Sequence, residues 1–363
     1  MRMETRTPEQ ESLIAALRAL ARQWDHRNGE ETFPTGRLAA LGEAGALAAF
    51  TTLDDEAAVE ELATALRLVG AADLSLGRVF EGHVNAVQLI HHYGTAPQKE
   101  RLLADLAARR SFGVWNTEPP PGMTLKKVAN GFRLHGAKSF ATGAGHLDRV
   151  LITARLPDGQ KQLVLVDIAG EADRADDRGW KVRGMRGTAS GLFDFTGMML
   201  GEPALIGEPG DYEGEPRFSA GAWRFTAVQL GGIEALMRHW RANLVETGKG
   251  ADPVQRLRFG TSVASVRSAG LWVKRAAHLA EEARPEAIAC VLMTRGVVED
   301  AALQAMEGAA RAVGTASFFE DSRIDRITRD LGLYLRQPVP DQARERAAAA
   351  WLHGDCWGDD PWW

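Results

Sequence analysis

The feature that most constrains this chain is a change of hydrophobic period that happens twice. Up to about Arg110 apolar residues recur at helical spacing: Leu13, Leu17, Leu20 and Trp24, then Leu38, Leu41 and Leu47, then Val59, Leu62, Leu66 and Val69. Pro8 and Pro34 stand where helices would begin, and Gly94–Arg110 reads as a turn with Pro97 near the start of a further helix. From Phe112 to about Tyr212 the pattern shortens. The runs 132–142, 149–156 and 161–169 are separated by Asn-Gly, Asp-Gly and Gly-Asp turns. VANGFRL and LPDGQKQLVLV each predict two strands joined by a tight turn. After Trp223 long amphipathic helices return, with two more expected over about 253–283 and 285–316, and 208–221 as the linker.

Helical, then β, then helical again leaves few architectures open. The expectation is an α+β chain: an N-terminal helical domain over 1–111, a middle antiparallel β-barrel or sandwich domain over 112–215, a C-terminal four-helix bundle over 216–352, and a Trp-rich tail over 353–363. The tail, HGDCWGDDPWW, reads as packing on a surface, a neighbouring subunit among the candidates.

Composition removes several classes. The chain has 363 residues, of which 45% are hydrophobic, enough for real cores. Its net charge is −5 and basic residues are dispersed, so no nucleic-acid partner is expected. No run is apolar enough to span a membrane, and the first twenty residues do not read as a signal peptide. Cys290 and Cys356 are too few for a disulfide framework; Cys290 reads as a core residue, and a reducing, cytoplasmic setting is expected. His91-His92 read as helix-end residues rather than metal ligands. GAGHLD (143–148) lacks the third glycine of a dinucleotide fingerprint. There is no GxxxxGK[ST], HExxH or GxSxG.

Six segments, in order, resemble those of the acyl-CoA dehydrogenase superfamily of flavoproteins: FPTGRLAALGEAGALAAF (33–50), HYGTAPQKERLLADL (92–106), WNTEPP (115–120), GFRLHGAKSFATGAGHLDRVLITAR (131–155), GWKVRGMRGTASGLFDFTGMML (179–200) and RITRDL (326–331). The resemblance covers nearly the whole chain. It implies FAD, an acyl-CoA or related acyl thioester as substrate, and a homodimer or homotetramer, with a hetero-oligomer as the alternative. By resemblance Thr117 meets the pyrimidine edge of the flavin, Phe140 packs on its face, and the Thr142 hydroxyl approaches its N5. Trp115, Asn116 and Ala141 flank these positions. Arg311 and Gly314 fall where the family reaches a neighbouring subunit's cofactor.

The chain also departs from the family. TEPPPGMTLKK places Met123 and Thr124 where the family has Ser and Asp, and Met123 supplies no strong hydrogen bond. RLRFG (256–260) resembles a phosphate-reaching turn but reads as lying inside a helix. The catalytic Glu is expected eight residues past Asp330, where Pro338 stands, or on the earlier helix, where Trp223 precedes Arg224. Neither proline nor indole takes a proton. Asp341 is the nearest acid, and a helix N-cap explains it better than catalysis. Three readings follow: a divergent dehydrogenase-like oxidoreductase, a flavin monooxygenase of the same superfamily, or a catalytically silent subunit paired with an active homologue.

Overall fold

A computed structural model of the chain describes residues 8–25 and 32–359. The N-terminal part is five helices: α1 (Pro8–Asp25), α2 (Thr35–Glu43), α3 (Glu56–Ala72), α4 (Leu74–Tyr93) and α5 (Ala96–Ala107). Their starts are chemically marked. Asp55 accepts from the Ala58 N–H at the head of α3, and Asp73 from Leu76 N–H at 3.0 Å at the head of α4. Thr95 and Gln98 form a capping box on α5. The periodic residues Leu17, Leu41, Leu62, Leu66 and Val69 are buried, as their spacing predicts.

Ten strands follow: β1 (Phe112–Trp115), β2 (Thr124–Val128), β3 (Gly131–His135), β4 (Ala137–Ala141), β5 (Arg149–Arg155), β6 (Lys161–Asp167), β7 (Ala175–Asp176), β8 (Gly191–Asp194), β9 (Met199–Leu200) and β10 (Leu205–Ile206). One sheet runs β10-β6-β5-β2-β3-β9 with β1 beside β5; the other runs β4-β8-β7. Both expected hairpins are present, β2–β3 and β5–β6. The sheet is not purely antiparallel: β1 pairs parallel with β5, Phe112 opposite Arg149. A parallel neighbour needs a long crossover, and the chain from β2 to β4 supplies it. Period-two patterning shows which side of a strand is buried but not the direction of its partner.

The C-terminal part is helical: a short α6 (Arg217–Ala220), then α7 (Trp223–Glu246), α8 (Pro253–Glu281), α9 (Ala287–Val313), α10 (Arg323–Tyr334) and α11 (Pro340–His353). The segment 208–221 is therefore not wholly irregular. RLRFG lies inside α8, as read. Helix α7 crosses α3 at close range. A Cβ on Gly70 would stand 2.3 Å from the Val228 carbonyl oxygen, and one on Gly231 2.1 Å from that of Arg67. One continuous apolar core runs from Ile14 through Trp115 and Phe193 to Tyr334, which ties the helical parts to the sheet.

The tail packs on its own chain. Trp357 meets Trp272 of α8 edge to face at 4.7 Å, and its carbonyl accepts from Arg275 Nε at 2.6 Å. Trp362 and Trp363 lie outside the described residues. Cys290 is fully buried, and burial pushes its thiol up to about 12. Among the described residues no helix is long and apolar enough to cross a membrane.

Candidate functional site

Where the β part meets the helices there is a cavity of about 910 Å³. That is the upper end of the usual range for ligand sites, about 300–1,000 Å³. Its β-side wall is formed by the ends of β1 and β4 and by the segment 180–190. Its helical wall comes from α4, α6, α7, the end of α8, α9, α11 and the connection between α10 and α11.

On the β side, Trp115, Asn116, Thr117, Phe140 and Thr142 all line the cavity, so residues read from separate strands converge. The convergence has a physical cause. Ser139 N–H donates to the Thr117 carbonyl at 2.9 Å. The fully buried Lys138 ammonium donates to Asn116 O at 2.9 Å, Glu118 Oε2 at 2.7 Å and Thr153 Oγ1 at 3.1 Å. Burial holds the Lys138 pKa below its ordinary value, with Glu118 working against the shift. Lys138 thus pins the end of β1 to β4 and β5, a positioning role that the sequence reading missed.

Trp115 is 2% exposed, packs on Phe193 and Phe195, and donates Nε1–H to Thr142 O at 2.9 Å, so its indole mainly supports the wall. The Thr142 hydroxyl lies 3.1 Å from Ser190 Oγ. The hydroxyls of Thr117 and Ser139 have no hydrogen-bond partner among the described residues. Ala141 is buried behind the wall, and Met123, where the family has a hydroxyl, is fully buried.

Phe140 is the conspicuous member. Its ring is 66% exposed although it borders the cavity, and its backbone is left-handed, φ +51°. The register of β4 against β8 shifts between Lys138 and Ala141, so a bulge re-aims the side chain. Trp180 stands across from it at 6.3 Å, nearly perpendicular, held by Nε1–H to Met185 O at 3.1 Å. Of six described non-glycine residues with positive φ, three line the cavity: Phe140, Met185 and Val339. Such strain persists where the surroundings over-determine it, and it gathers at functional sites.

Two of the segments that carry the family resemblance meet here. Asp330 of RITRDL accepts from Met185 N–H of GMRGT at 2.5 Å. Gly184 makes the approach possible, since a Cβ there would lie 2.0 Å from the Arg329 carbonyl oxygen. Burial pushes the Asp330 carboxyl up to about 6, against the opposing hydrogen bond from Met185.

The helical wall is charged. Arg78, Glu81 and Asn85 lie on one face of α4, and Glu81, 2% exposed, holds both the Arg78 guanidinium and the Asn85 amide. Glu281 from the end of α8 accepts from Trp223 Nε1 at 2.7 Å and from Arg224 Nη2 at 2.5 Å, and Arg224 reaches Asn85 Oδ1 at 3.1 Å. The Tyr334 hydroxyl is fully buried, lines the cavity, and has no partner among the described residues. Burial holds its pKa far above the ordinary value, so it stays a proton donor. The sequence reading named only Trp223 and Arg224 here. The i, i+3, i+7 spacing of Arg78, Glu81 and Asn85, a polar stripe on an otherwise apolar helix, was the available signal.

The helix break is part of the site. Pro338 and Val339 line the cavity, with Val339 at the N-cap of α11 in left-handed conformation, φ +51°. Arg295 of α9 donates to the Gln337 and Pro338 carbonyls at 3.2 and 2.8 Å, fixing the break in place. Asp341 is exposed, does not line the cavity, and is not the cap: it sits in the first turn of α11, after Pro340. Arg311 and Gly314 are remote from the cavity within one chain. Arg311 is exposed and paired with Glu307, and Gly314 closes α9.

The donor set suits a flavin. There is an exposed phenyl face, there are hydroxyls of Thr117 and Ser139 to satisfy, and an orphaned buried hydroxyl at Tyr334. Comparison with known proteins agrees in fold. Residues 7–110 match the acyl-CoA dehydrogenase N-terminal domain. A dibenzothiophene monooxygenase of Mycolicibacterium goodii is 29% identical over 156 residues, 40% of this chain and 37% of that protein. One of Rhodococcus erythropolis is 24% identical over 318 residues, 76% of each. The chain thus spans well under half of the first of these relatives and three quarters of the second. The FMN-bound structure of TdsC from Paenibacillus sp. A11-2 superposes with a TM-score of 0.82 at 18% identity, covering 96% of this chain and 98% of that one. Butyryl-CoA dehydrogenase of Megasphaera elsdenii superposes at 0.81 with 17% identity, covering 97% and 100%.

Proposed function

From the premise that the chain carries an acyl-CoA dehydrogenase N-terminal domain on an acyl-CoA dehydrogenase fold, we propose that it is a flavin-dependent oxidoreductase whose reaction is oxygen insertion rather than dehydrogenation of an acyl-CoA. The observation that supports a flavin is Phe140. A phenyl ring two-thirds exposed, on a strained backbone, facing a cavity of about 910 Å³, needs a flat apolar occupant to justify its cost.

The choice between the two activities rests on the acids. α-Proton abstraction needs a carboxylate free to take a proton. Pro338 and Trp223 occupy the two expected stations. The two carboxylates that do face the cavity, Glu81 and Glu281, each hold an arginine. A monooxygenase needs no such base, and the curated relatives are described as monooxygenases.

A bound reduced flavin supplies two electrons to activate dioxygen, one oxygen atom going to substrate and the other to water. The residues of this chain do the rest. Phe140 and Trp180 hold the ring plane, Thr117 and Thr142 address its edge, and Ser190 orients the Thr142 hydroxyl. Tyr334 offers a proton donor in a dry part of the cavity. Val339 and Pro338 line the wall at the helix break. We also propose a homo-oligomer, because Arg311 and Gly314, which by resemblance fall where the family reaches a neighbouring subunit's cofactor, do not line this chain's own cavity; light scattering of the flavin-loaded protein tests it, a monomer being the contrary result.

The main test is reconstitution with FAD and with FMN in parallel. The expected result is a yellow protein. Loaded with reduced flavin, it is reoxidised by air at a rate distinct from that of free reduced flavin, while acyl-CoAs under anaerobic conditions do not bleach it. A protein that stays colourless with both flavins refutes the flavin reading; anaerobic bleaching by acyl-CoAs refutes the choice of oxygen insertion.

A further inference from the structure

The helical wall carries more positive charge than its own acids neutralise. Six arginines line the cavity: Arg78, Arg217, Arg224, Arg295, Arg336 and Arg346. Glu81 compensates Arg78 and Glu281 compensates Arg224. Arg336 reaches Glu299 at 2.5 Å, and Arg346 stands 3.9 Å from Glu215. Arg217 and Arg295 have no ion pair among the described residues.

Arg295 is the telling one. Its guanidinium lies 5.4 Å over the Phe225 ring, and both its hydrogen bonds, to the carbonyls of Gln337 and Pro338, come from Nη2. Its Nε and Nη1 hydrogens have no protein acceptor among the described residues. Leu292, Leu333 and Val339 line the same cavity. Burial holds its pKa below the ordinary value, with Glu299 pulling the other way from a distance. A desolvated cation without a counter-charge is costly, and an anion placed against it recovers that cost. Arg217, exposed at the same cavity, adds to the field: burial first, then Arg217, hold His92 below its ordinary pKa.

We propose that the cavity takes a compact organic anion, a carboxylate- or sulfonate-type head on a short apolar body, with the head received by Arg295 and its approach steered by Arg217. The proposal rests on the oxidoreductase reading of the same cavity and names its substrate class. Arg295 keeps its Nε and Nη1 hydrogens free to donate to the oxygens of an anionic head, and Phe225, Leu292 and Val339 line the cavity for the apolar body. A neutral polycyclic such as dibenzothiophene would leave Arg295 without a counter-charge.

Two other anions share this chemistry, the cofactor's phosphate and the phosphates of coenzyme A, and the experiment separates them. Benzoate and benzenesulfonate are titrated against their neutral isosteres benzamide and benzenesulfonamide by calorimetry, on the protein as purified and again saturated with FMN; coenzyme A and inorganic phosphate are titrated alongside. Charge-assisted hydrogen bonds to a half-buried guanidinium favour the anion by about tenfold or more. That preference is expected in wild type with and without FMN, to be retained in Arg295→Lys, and to fall below about threefold in Arg295→Gln. Arg217→Gln should slow association, read by stopped flow, and flatten its salt dependence.

Equal affinity for benzoate and benzamide in wild type overturns the proposal, and needs no variant to fold. Loss of anion binding on saturation with FMN overturns it by assigning Arg295 to the cofactor's phosphate. Binding of coenzyme A without any of the small anions overturns it in favour of an acyl-CoA site. A colourless protein that still prefers the anion leaves this inference standing and removes the flavin reading; a yellow protein without the preference does the reverse.

Discussion

The two walls of the cavity are built on different physics. The β-side wall is a strained surface with few charges. An aromatic ring is pushed out by a bulge, and its neighbours are held by backbone hydrogen bonds and by one buried lysine that makes contacts behind the wall. The helical wall is electrostatic. An ion pair within α4 and another between α7 and α8, joined by the Arg224–Asn85 hydrogen bond, form one network, and Arg295 sits on the break between α10 and α11. The first wall offers shape to a flat ring and the second offers charge to whatever lies beside it. On the function proposed above, cofactor recognition and substrate recognition are separable here, and each can be damaged without the other.

The largest effect should come from the helical wall. Glu281→Ala leaves Arg224 and the Trp223 indole N–H buried without their partner, both residues being about a tenth exposed or less. Breaking a buried pair from one side costs about 3–5 kcal/mol. Thermal unfolding of Glu281→Ala should show that loss, while Arg224→Met combined with Glu281→Met should recover most of it. If the single variant melts like wild type, the network is not structural and the contrast between the walls fails.

Phe140→Gly divides shape from strain. A glycine tolerates φ +51° without penalty, so the protein should become more stable by about 1 kcal/mol. The same change removes the aromatic face, so flavin affinity should fall at least tenfold, about 1.4 kcal/mol. Opposite signs in a melt and in a flavin titration are the signature; a loss in both would mean that the ring supports the fold rather than the ligand.

Asp330 joins the two walls and gives a pH test. Its pKa is pushed up to about 6 in the folded chain, above the ordinary 3.8. Below about 3.8 both folded and unfolded states are protonated and the shift costs nothing. Between about 3.8 and 6 the unfolded chain ionises first, so this group lowers stability as pH rises, and above 6 the cost is constant. Asp330→Asn lacks the term. Its stability relative to wild type should therefore rise from pH 4 to pH 6.5, by on the order of 1–3 kcal/mol, and then level off. A difference that stays flat over this range contradicts the buried, proton-holding role.

The smallest effect is expected at Asp341. It is exposed, outside the cavity, and not the cap of its helix. Asp341→Asn should change turnover less than twofold and the melting temperature by no more than about 2 °C. Abolished turnover would return catalysis to the helix break and undo the assignment of that wall to binding alone.

The architecture was legible because each region advertises its period. Helical spacing placed Leu62, Leu66 and Val69 in the core, Asn-Gly and Asp-Gly marked both hairpins, and the capping chemistry of Thr95 and Gln98 marked α5. On the β-side wall, Thr117, Phe140 and Thr142 were legible because they sit in short local segments that resemble a known family, and all three line the cavity. Local sequence also set the absence of a carboxylate at Pro338 and Trp223, since residue identity needs no fold to be read.

Tertiary structure alone decided the rest. Glu281 belongs to the site because α8 ends beside the start of α7. Tyr334 is an orphaned donor because α10 buries it against α4. Arg295 has no ion pair among the described residues, Glu299 acting on it only from a distance. The parallel pairing of β1 with β5 and the left-handed backbone of Phe140 are of the same kind. Periodicity and propensity are set by neighbours along the chain, within a few residues. Charge balance, desolvation and strain depend on neighbours in space, which one sequence does not name.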